Sequence, residues 1–247
     1  MSKPFFHIAQ DVKTAGGFAA VILLLGLAIL WGVYTEQQTV LTDVEFRNAE
    51  FTDEEALLSA FASPVGLMAD SVDYSAIVNG LRSLPSVKDV SLHMGRRGRL
   101  TVNVEEREPL ALLMEQRTPM YVDGDGVALP ALLGKSVDVP LLYGFRAPAA
   151  GDTIKAPAFE DVGRFLHDAK QHPFAWATIS EVGWNPTDGV FALNYDSSVK
   201  LVFGSGNYAQ KFSNWEAFNR QVVSHKGFDA FHTIDLRFRD QIVAKEL

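Results

Sequence analysis

The chain has 247 residues, no cysteine, and a formal net charge of −8 from 22 basic and 30 acidic side chains. The missing cysteines exclude both a disulfide framework and a thiol nucleophile. The acidic balance argues against a nucleic-acid partner, for which affinity comes mainly from neutralising phosphates.

From Thr14 to Thr35 no side chain is charged, and the run AGGFAAVILLLGLAILWGVY fills Ala15 to Tyr34. A helix over this stretch would measure about 33 Å at roughly 1.5 Å per residue, enough for a hydrocarbon core of about 30 Å. Residues 15–35 are therefore predicted to span a lipid bilayer, after a tail at 1–14. Lys3 and Lys13 precede the span, whereas Glu36, Asp43 and Glu45 follow it, and no basic residue appears before Arg47. Basic flanks stay in the cytoplasm, so the bulk of the chain is expected outside it. A cleaved signal peptide has an apolar core of about 7–15 residues and a small-x-small cleavage site. This run is longer and ends in the bulky Trp31, Val33 and Tyr34, which favours a retained anchor. About 210 exported residues suffice for one large or two modest domains.

Past a linker at 36–39, residues 40–107 read as β-α-α-β-β. Val40, Val44 and Phe46 alternate as a short strand. Thr52 and Glu55 have capping-box spacing, ahead of a helix with Leu57, Leu58 and Phe61 that Pro64 and Gly66 should end. Asp73 is a predicted N-cap for a second helix carrying Tyr74, Ile77, Val78 and Leu81, stopped by Pro85. Two alternating strands follow, Val90, Leu92, Met94 and Leu100, Val102, Val104, joined by Gly95-Arg96-Arg97-Gly98. Two helices on one face of a small sheet satisfy these stripes.

Pro109 marks the junction to 110–247, a longer α+β segment. Met120-Tyr121-Val122 and Val127-Ala128-Leu129 flank Asp123-Gly124-Asp125-Gly126, a hairpin signal. Pro140-Leu141-Leu142-Tyr143-Gly144 is a short apolar run bounded by turn residues. A helix from near Pro157 should bury Phe159, Val162 and Leu166. Strands are predicted near Ile179–Trp184, Val190–Tyr195 and Val199–Phe203. A second helix, Asn207 to Ser224, presents Tyr208, Phe212, Trp215, Phe218 and Val222 on one face and ends at Gly227. The last strand alternates Ile234, Leu236 and Phe238 against Asp235, Arg237 and Arg239, and Asp240-Gln241-Ile242-Val243 continues it without a breaker.

Catalytic chemistry is hard to assemble from these residues. The six histidines are scattered without the i,i+4 spacing of a zinc helix, and no Gly-x-Ser-x-Gly elbow is present. The Asp123–Gly126 loop has Gly134 rather than Glu at the twelfth calcium-loop position. Gly204-Ser205-Gly206 lacks the rest of a phosphate-binding fingerprint and reads as a tight connection with Ser205 or Asn207 as helix cap. No catalytic, cofactor-binding or metal residues are assigned, and no cofactor is expected. Arg96, Arg97 and Arg99 form the densest basic run, either a solvated hairpin tip or a contact for anionic headgroups or an acidic partner.

Several short patterns occur in order: Asp73, then Leu84-Pro85-x-Val87-x-x-Val90; Val102-x-Val104-x-Glu106-Arg107-x-Pro109; Tyr121-Val122-Asp123-x-x-Gly126; Pro140-x-Leu142-Tyr143-Gly144; Val199-Lys200-Leu201 before Gly204-x-Gly206; and Ile234-Asp235-Leu236-Arg237-Phe238. With an N-terminal anchor, this series resembles the FtsQ/DivIB family of bacterial division proteins, which often has Tyr in place of Phe238. The resemblance implies an α+β fold: one transmembrane helix, a POTRA domain at 40–109, and a larger β-rich domain at 110–247 that closes on an edge strand. It also implies a non-enzymatic divisome scaffold in the inner membrane at the septum. Such a scaffold links early cytoplasmic division proteins to late peptidoglycan-synthesising ones. The implied partners are FtsB and FtsL, bound by strand addition along Leu236, Arg237, Phe238, Arg239, Asp240, Gln241 and Ile242, with other membrane proteins of the divisome meeting the POTRA domain. A POTRA-type assembly factor and an anchored cell-wall enzyme are the alternative readings. An edge strand that proteins usually cover or charge would then serve as a main-chain template for a partner.

Overall fold

The computed structural model describes residues 21–31, 39–114, 119–131, 136–197, 199–239 and 241–247. Residues 21–31 are helical (α1), with nearly every side chain exposed. Among the described residues no helix is long and apolar enough to cross a membrane. The expected span extends beyond α1 on both sides, and its remainder, 15–20 and 32–35, lies outside the described residues.

The first unit contains β1 (Asp43–Arg47), α2 (Glu54–Ser59), α3 (Tyr74–Arg82), β2 (Val87–Met94) and β3 (Arg99–Glu106). Its sheet has the order β1-β3-β2. β1 is parallel to β3, and β2 and β3 form an antiparallel hairpin. Parallel neighbours need a long crossover, and the stretch holding the two helices and β2 supplies it. Ile77 and Leu81 from α3 and Leu57 from α2 are buried with Val90, Leu100, Val102 and Val104 of the sheet. Asp73 caps α3, its Oδ1 accepting the Ala76 N–H at 2.9 Å.

The capping box expected at Thr52 and Glu55 does not form. Asp53 precedes α2 without a side-chain cap bond. The Thr52 N–H donates instead to Glu106, whose carboxylate also accepts the N–H groups of Glu50 and Phe51, at 2.6–2.9 Å. A carboxylate gathers three donors where a hydroxyl cap would satisfy one, and charge strengthens each bond. The helix also stops at Ser59, before Pro64 and Gly66.

The second unit is a nine-stranded sheet, β12-β11-β10-β9-β8-β7-β4-β5-β6. Its strands are β4 (Ala111–Leu113), β5 (Met120–Val122), β6 (Ala128–Pro130), β7 (Leu141–Tyr143), β8 (Ile179–Asn185), β9 (Gly189–Asn194), β10 (Lys200–Gly204), β11 (Phe231–Asp235) and β12 (Val243–Glu246). The sheet is mixed: β4, β7 and β8 run parallel, as do β10 and β11. Helices α4 (Phe159–Lys170) and α5 (Pro173–Thr178) bridge β7 to β8, and α6 (Tyr208–Phe218) with its extension bridges β10 to β11. Phe165 of α4 packs edge-on against Phe203, Tyr208 and Phe212, with ring centroids 4.9–5.3 Å apart. The predicted helix to Ser224 is continuous in course but passes through a π-helical stretch, Asn219–Val223, before Ser224–Lys226, and it ends at Gly227 with φ 78°.

Candidate functional site

β11 runs along β10, and the backbone then leaves the sheet. Leu236 is buried and donates its N–H to Val202 O at 2.8 Å. The next residues turn, and β12 returns antiparallel on the far side of β11, pairing Val243 with Asp235 and Ala244 with Ile234. The expectation of one unbroken strand from Ile234 to Val243 is therefore corrected: β11 ends at Asp235, residues 236–239 and 241–242 belong to no strand, and β12 is the edge. Its outer side is paired with no strand among the described residues.

Asp235 explains the break. Its carboxylate accepts the Arg237 N–H at 3.0 Å and the guanidinium through Nε and Nη2, the latter at 2.6 Å. Burial alone would raise the Asp235 carboxyl, but its bonds to Arg237 outweigh that and hold it below the usual range. The Arg237 stem packs on Gly204, where an added Cβ would come within 2.9 Å of Cγ, and Nη1 reaches Thr187 O at 3.2 Å. Arg237 is thus largely engaged within the fold. Phe238 is left 44% exposed. Arg239 and Gln241 are exposed, and Ile242 packs partly against the core. Asp240 lies outside the described residues.

Between this turn and α6 runs a groove. One part, about 810 Å³, is lined by residues including Asn207, Gln210, Asn214, Arg237, Phe238 and Arg239. A second part continues past Arg239 to Phe218, Val222, Gln221 and Ile242. Lys211 forms its floor, donating to Phe203 O at 2.6 Å and Ser205 O at 2.9 Å. Burial pushes the Lys211 ammonium below its ordinary value, and the charges of Asp161 and Asp235 oppose that. Asn207, at φ 52°, makes no side-chain cap bond, so the cap expected from Ser205 or Asn207 does not form; Lys211 instead ties the helix to the end of the strand through the Phe203 and Ser205 carbonyls. The arrangement offers a free main-chain edge, one exposed aromatic and a polar, cationic trough. It suits recognition of an extended chain.

The family model for FtsQ/DivIB, C-terminal related, matches residues 108–245, from the junction through β12. Cell division protein FtsQ of Rhodothermus marinus is 32% identical over 235 residues, 92% of this chain and 83% of that protein. This chain belongs to the FtsQ/DivIB family. Cell division protein FtsQ of Salinibacter ruber is 30% identical over 158 residues, 60% of each chain. That of a Geobacter species is 24% identical over 180 residues, 71% of this chain and 65% of its own. As a member of the FtsQ/DivIB family, the chain is a cell division protein.

The matched segment contains the groove, and its least legible member was Lys211. A lysine inside an apolar helical stripe next to Phe212 was the available signal, because a cation there must find carbonyls to offset its burial.

Proposed function

We propose that this member of the FtsQ/DivIB family is a non-enzymatic divisome scaffold. Residues 15–35 hold it in the inner membrane with the N-terminus in the cytoplasm, and the folded units lie outside at the septum. Residues 40–109 form a POTRA-type unit for other membrane proteins of the divisome, and residues 110–247 bind extracytoplasmic segments of FtsB- and FtsL-like partners. The open edge at β12 beside the exposed Phe238 carries this reading. A partner strand lies along β12, while Phe238, Arg239 and Gln241, from the connection between β11 and β12, select it. Arg237 contributes mainly by fixing the turn, because Asp235 already holds it.

The test is a binding titration of the full chain in detergent against an FtsB-like extracytoplasmic peptide. Truncating an aromatic anchor commonly costs about 2 kcal/mol or more, about thirtyfold in affinity, so Phe238→Ala should weaken binding by that order without moving Tm. Leu247 donates its N–H inward to Ala230 O, and strand alternation then turns the Ala244 N–H outward. Ala244→Pro removes that donor and should also weaken binding. Parental affinity in both variants would sink the edge model and shift attention to the 40–109 unit.

A further inference from the structure

We propose that the first unit docks on an anionic bilayer surface through the β2–β3 tip and the apolar 65–68 loop. The proposal rests on the reading of residues 15–35 as a membrane span, and its observations lie where the chain would leave that span. Residues 39–42 thread between two loops. On one side Thr42 donates its N–H to Gly98 O at 2.8 Å and its Oγ1 hydroxyl to Arg97 O at 2.9 Å. A Cβ on Gly98 would sit 2.0 Å from Val40 O, so the tip is held directly against this segment. On the other side Leu41 donates to Leu67 O, Gly66 to Leu41 O and Ala69 to Thr39 O, at 2.8–2.9 Å.

Three residues separate Thr35 from Thr39, four peptide steps that span at most about 14 Å of extended chain. Both loops are therefore leashed near the bilayer surface whichever way the unit leans. Residues 39–109 carry twelve carboxylates against seven basic side chains, a net −5. Such a unit should be repelled by anionic lipid, yet three of its seven basic groups sit on this one tip. Arg99 is occupied by Asp43 and Glu45. Arg96 and Arg97 are exposed, and among the described residues neither enters an ion pair. Beside them Val40, Val65, Leu67 and Met68 are each 43–49% exposed. Asp70, bonded by the Ser71 hydroxyl at 3.1 Å, is the acidic group at the loop's far end. Arginines for headgroups, next to aliphatic side chains for the acyl boundary, match a charged interface rather than bulk water. Arg97 also holds φ 63°, a conformation that favours glycine, so the side chain is kept there against local backbone preference.

The chain's lack of cysteine makes a single label simple. The full chain with Met68→Cys, carrying an environment-sensitive fluorophore, is reconstituted into phosphatidylcholine vesicles with and without phosphatidylglycerol. The expected result is a blue shift and quenching by headgroup-borne quencher only with phosphatidylglycerol, reversed by salt. A label at Tyr195→Cys, in the second unit, should not respond. Each arginine at an anionic surface is worth about fivefold in docking. Arg97→Gly should therefore weaken docking about fivefold while leaving Tm equal or higher, and Arg96→Glu with Arg97→Glu should abolish it. Release of the chain by carbonate would refute the span itself. An inserted chain whose Met68 label ignores lipid charge and salt would refute the docking alone. Docking that survives Arg96→Glu with Arg97→Glu while septation fails would assign the tip to an acidic protein instead.

Discussion

Glu106 collects the N–H groups of Glu50, Phe51 and Thr52 at 2.6–2.9 Å and so pins the loop before α2 to the end of β3. Burial would raise its carboxyl, but the bonds from Thr52, Phe51 and Glu50 outweigh this and hold it below the ordinary carboxylate range. Asp235 is lowered in the same sense, by Arg237 against burial. A carboxyl lowered in the folded state contributes stability that is complete above its unfolded value and is lost as pH falls through its folded value. Urea midpoints should therefore decline between about pH 5 and pH 3, and Glu106→Gln should flatten that decline. At neutral pH, Glu106→Ala should cost about 2 kcal/mol, because three donors revert to water or go unsatisfied. An unchanged midpoint would mean that the loop is held by other contacts.

The elements that sequence made legible are those whose local signals and tertiary needs agree. Asp73 caps α3 where its spacing predicted, and Ile77 and Leu81 face the sheet. The hairpin around Asp123-Gly124-Asp125-Gly126 forms between β5 and β6, with Asp123 Oδ1 accepting the N–H groups of Asp125 and Val127. Helix α5 is as short as α2, six residues each, but no capping-box spacing of the Thr52–Glu55 kind precedes it to mark it in the sequence. Part of what fixes it comes from elsewhere in the chain: Phe174 rests on Trp215, and Trp215 Nε1 donates to Thr178 Oγ1 at 3.3 Å. The turn between β11 and β12 was illegible for a related reason. Alternation continues through Phe238 and no Gly or Pro interrupts it, so the break depends on Asp235 closing on Arg237 and on the buried berth of Leu236. The groove inherits that limit: its aromatic and its arginines were legible, but the fold-back that sets β12 at the edge was not. The packing of α3 gives a direct check. Leu81 is fully buried, and Leu81→Ala should lower unfolding free energy by about 2–5 kcal/mol. A change within error would mean that α3 does not pack on this sheet.

At the scale of the whole molecule, the two sheets are joined by the four residues between the end of β3 and the start of β4. So short a connection constrains the orientation of the units only if side chains brace it. Arg107 donates through Nη1 to Asp123 Oδ2 at 2.7 Å, with the arginine side chain 20% exposed and the carboxylate 6%. Lys170 reaches Glu108 from α4, and Pro85 lies against Gly151. An apolar cleft of about 190 Å³, lined by Phe51, Leu84, Pro109, Tyr121 and Leu129 among others, remains between the units. The Lys170 pair has its carboxylate mostly in water and adds about 1 kcal/mol or less. The Arg107 pair is different, because Asp123 stays buried if its partner is removed. Breaking such a pair costs about 3–5 kcal/mol, though the N–H groups of Asp125 and Val127 still serve the other carboxylate oxygen and place this case at the lower end. Arg107→Ala should therefore destabilise the protein by about 3 kcal/mol and free the two sheets to pivot about Pro109. Lys170→Ala should do neither. Calorimetry together with small-angle scattering of the full chain in a matched detergent separates these effects. The expectation is a lower Tm and a larger radius of gyration for Arg107→Ala alone. If the radius stays at the parental value, then Pro85, Gly151 and the apolar walls of the cleft brace the junction without the ion pair.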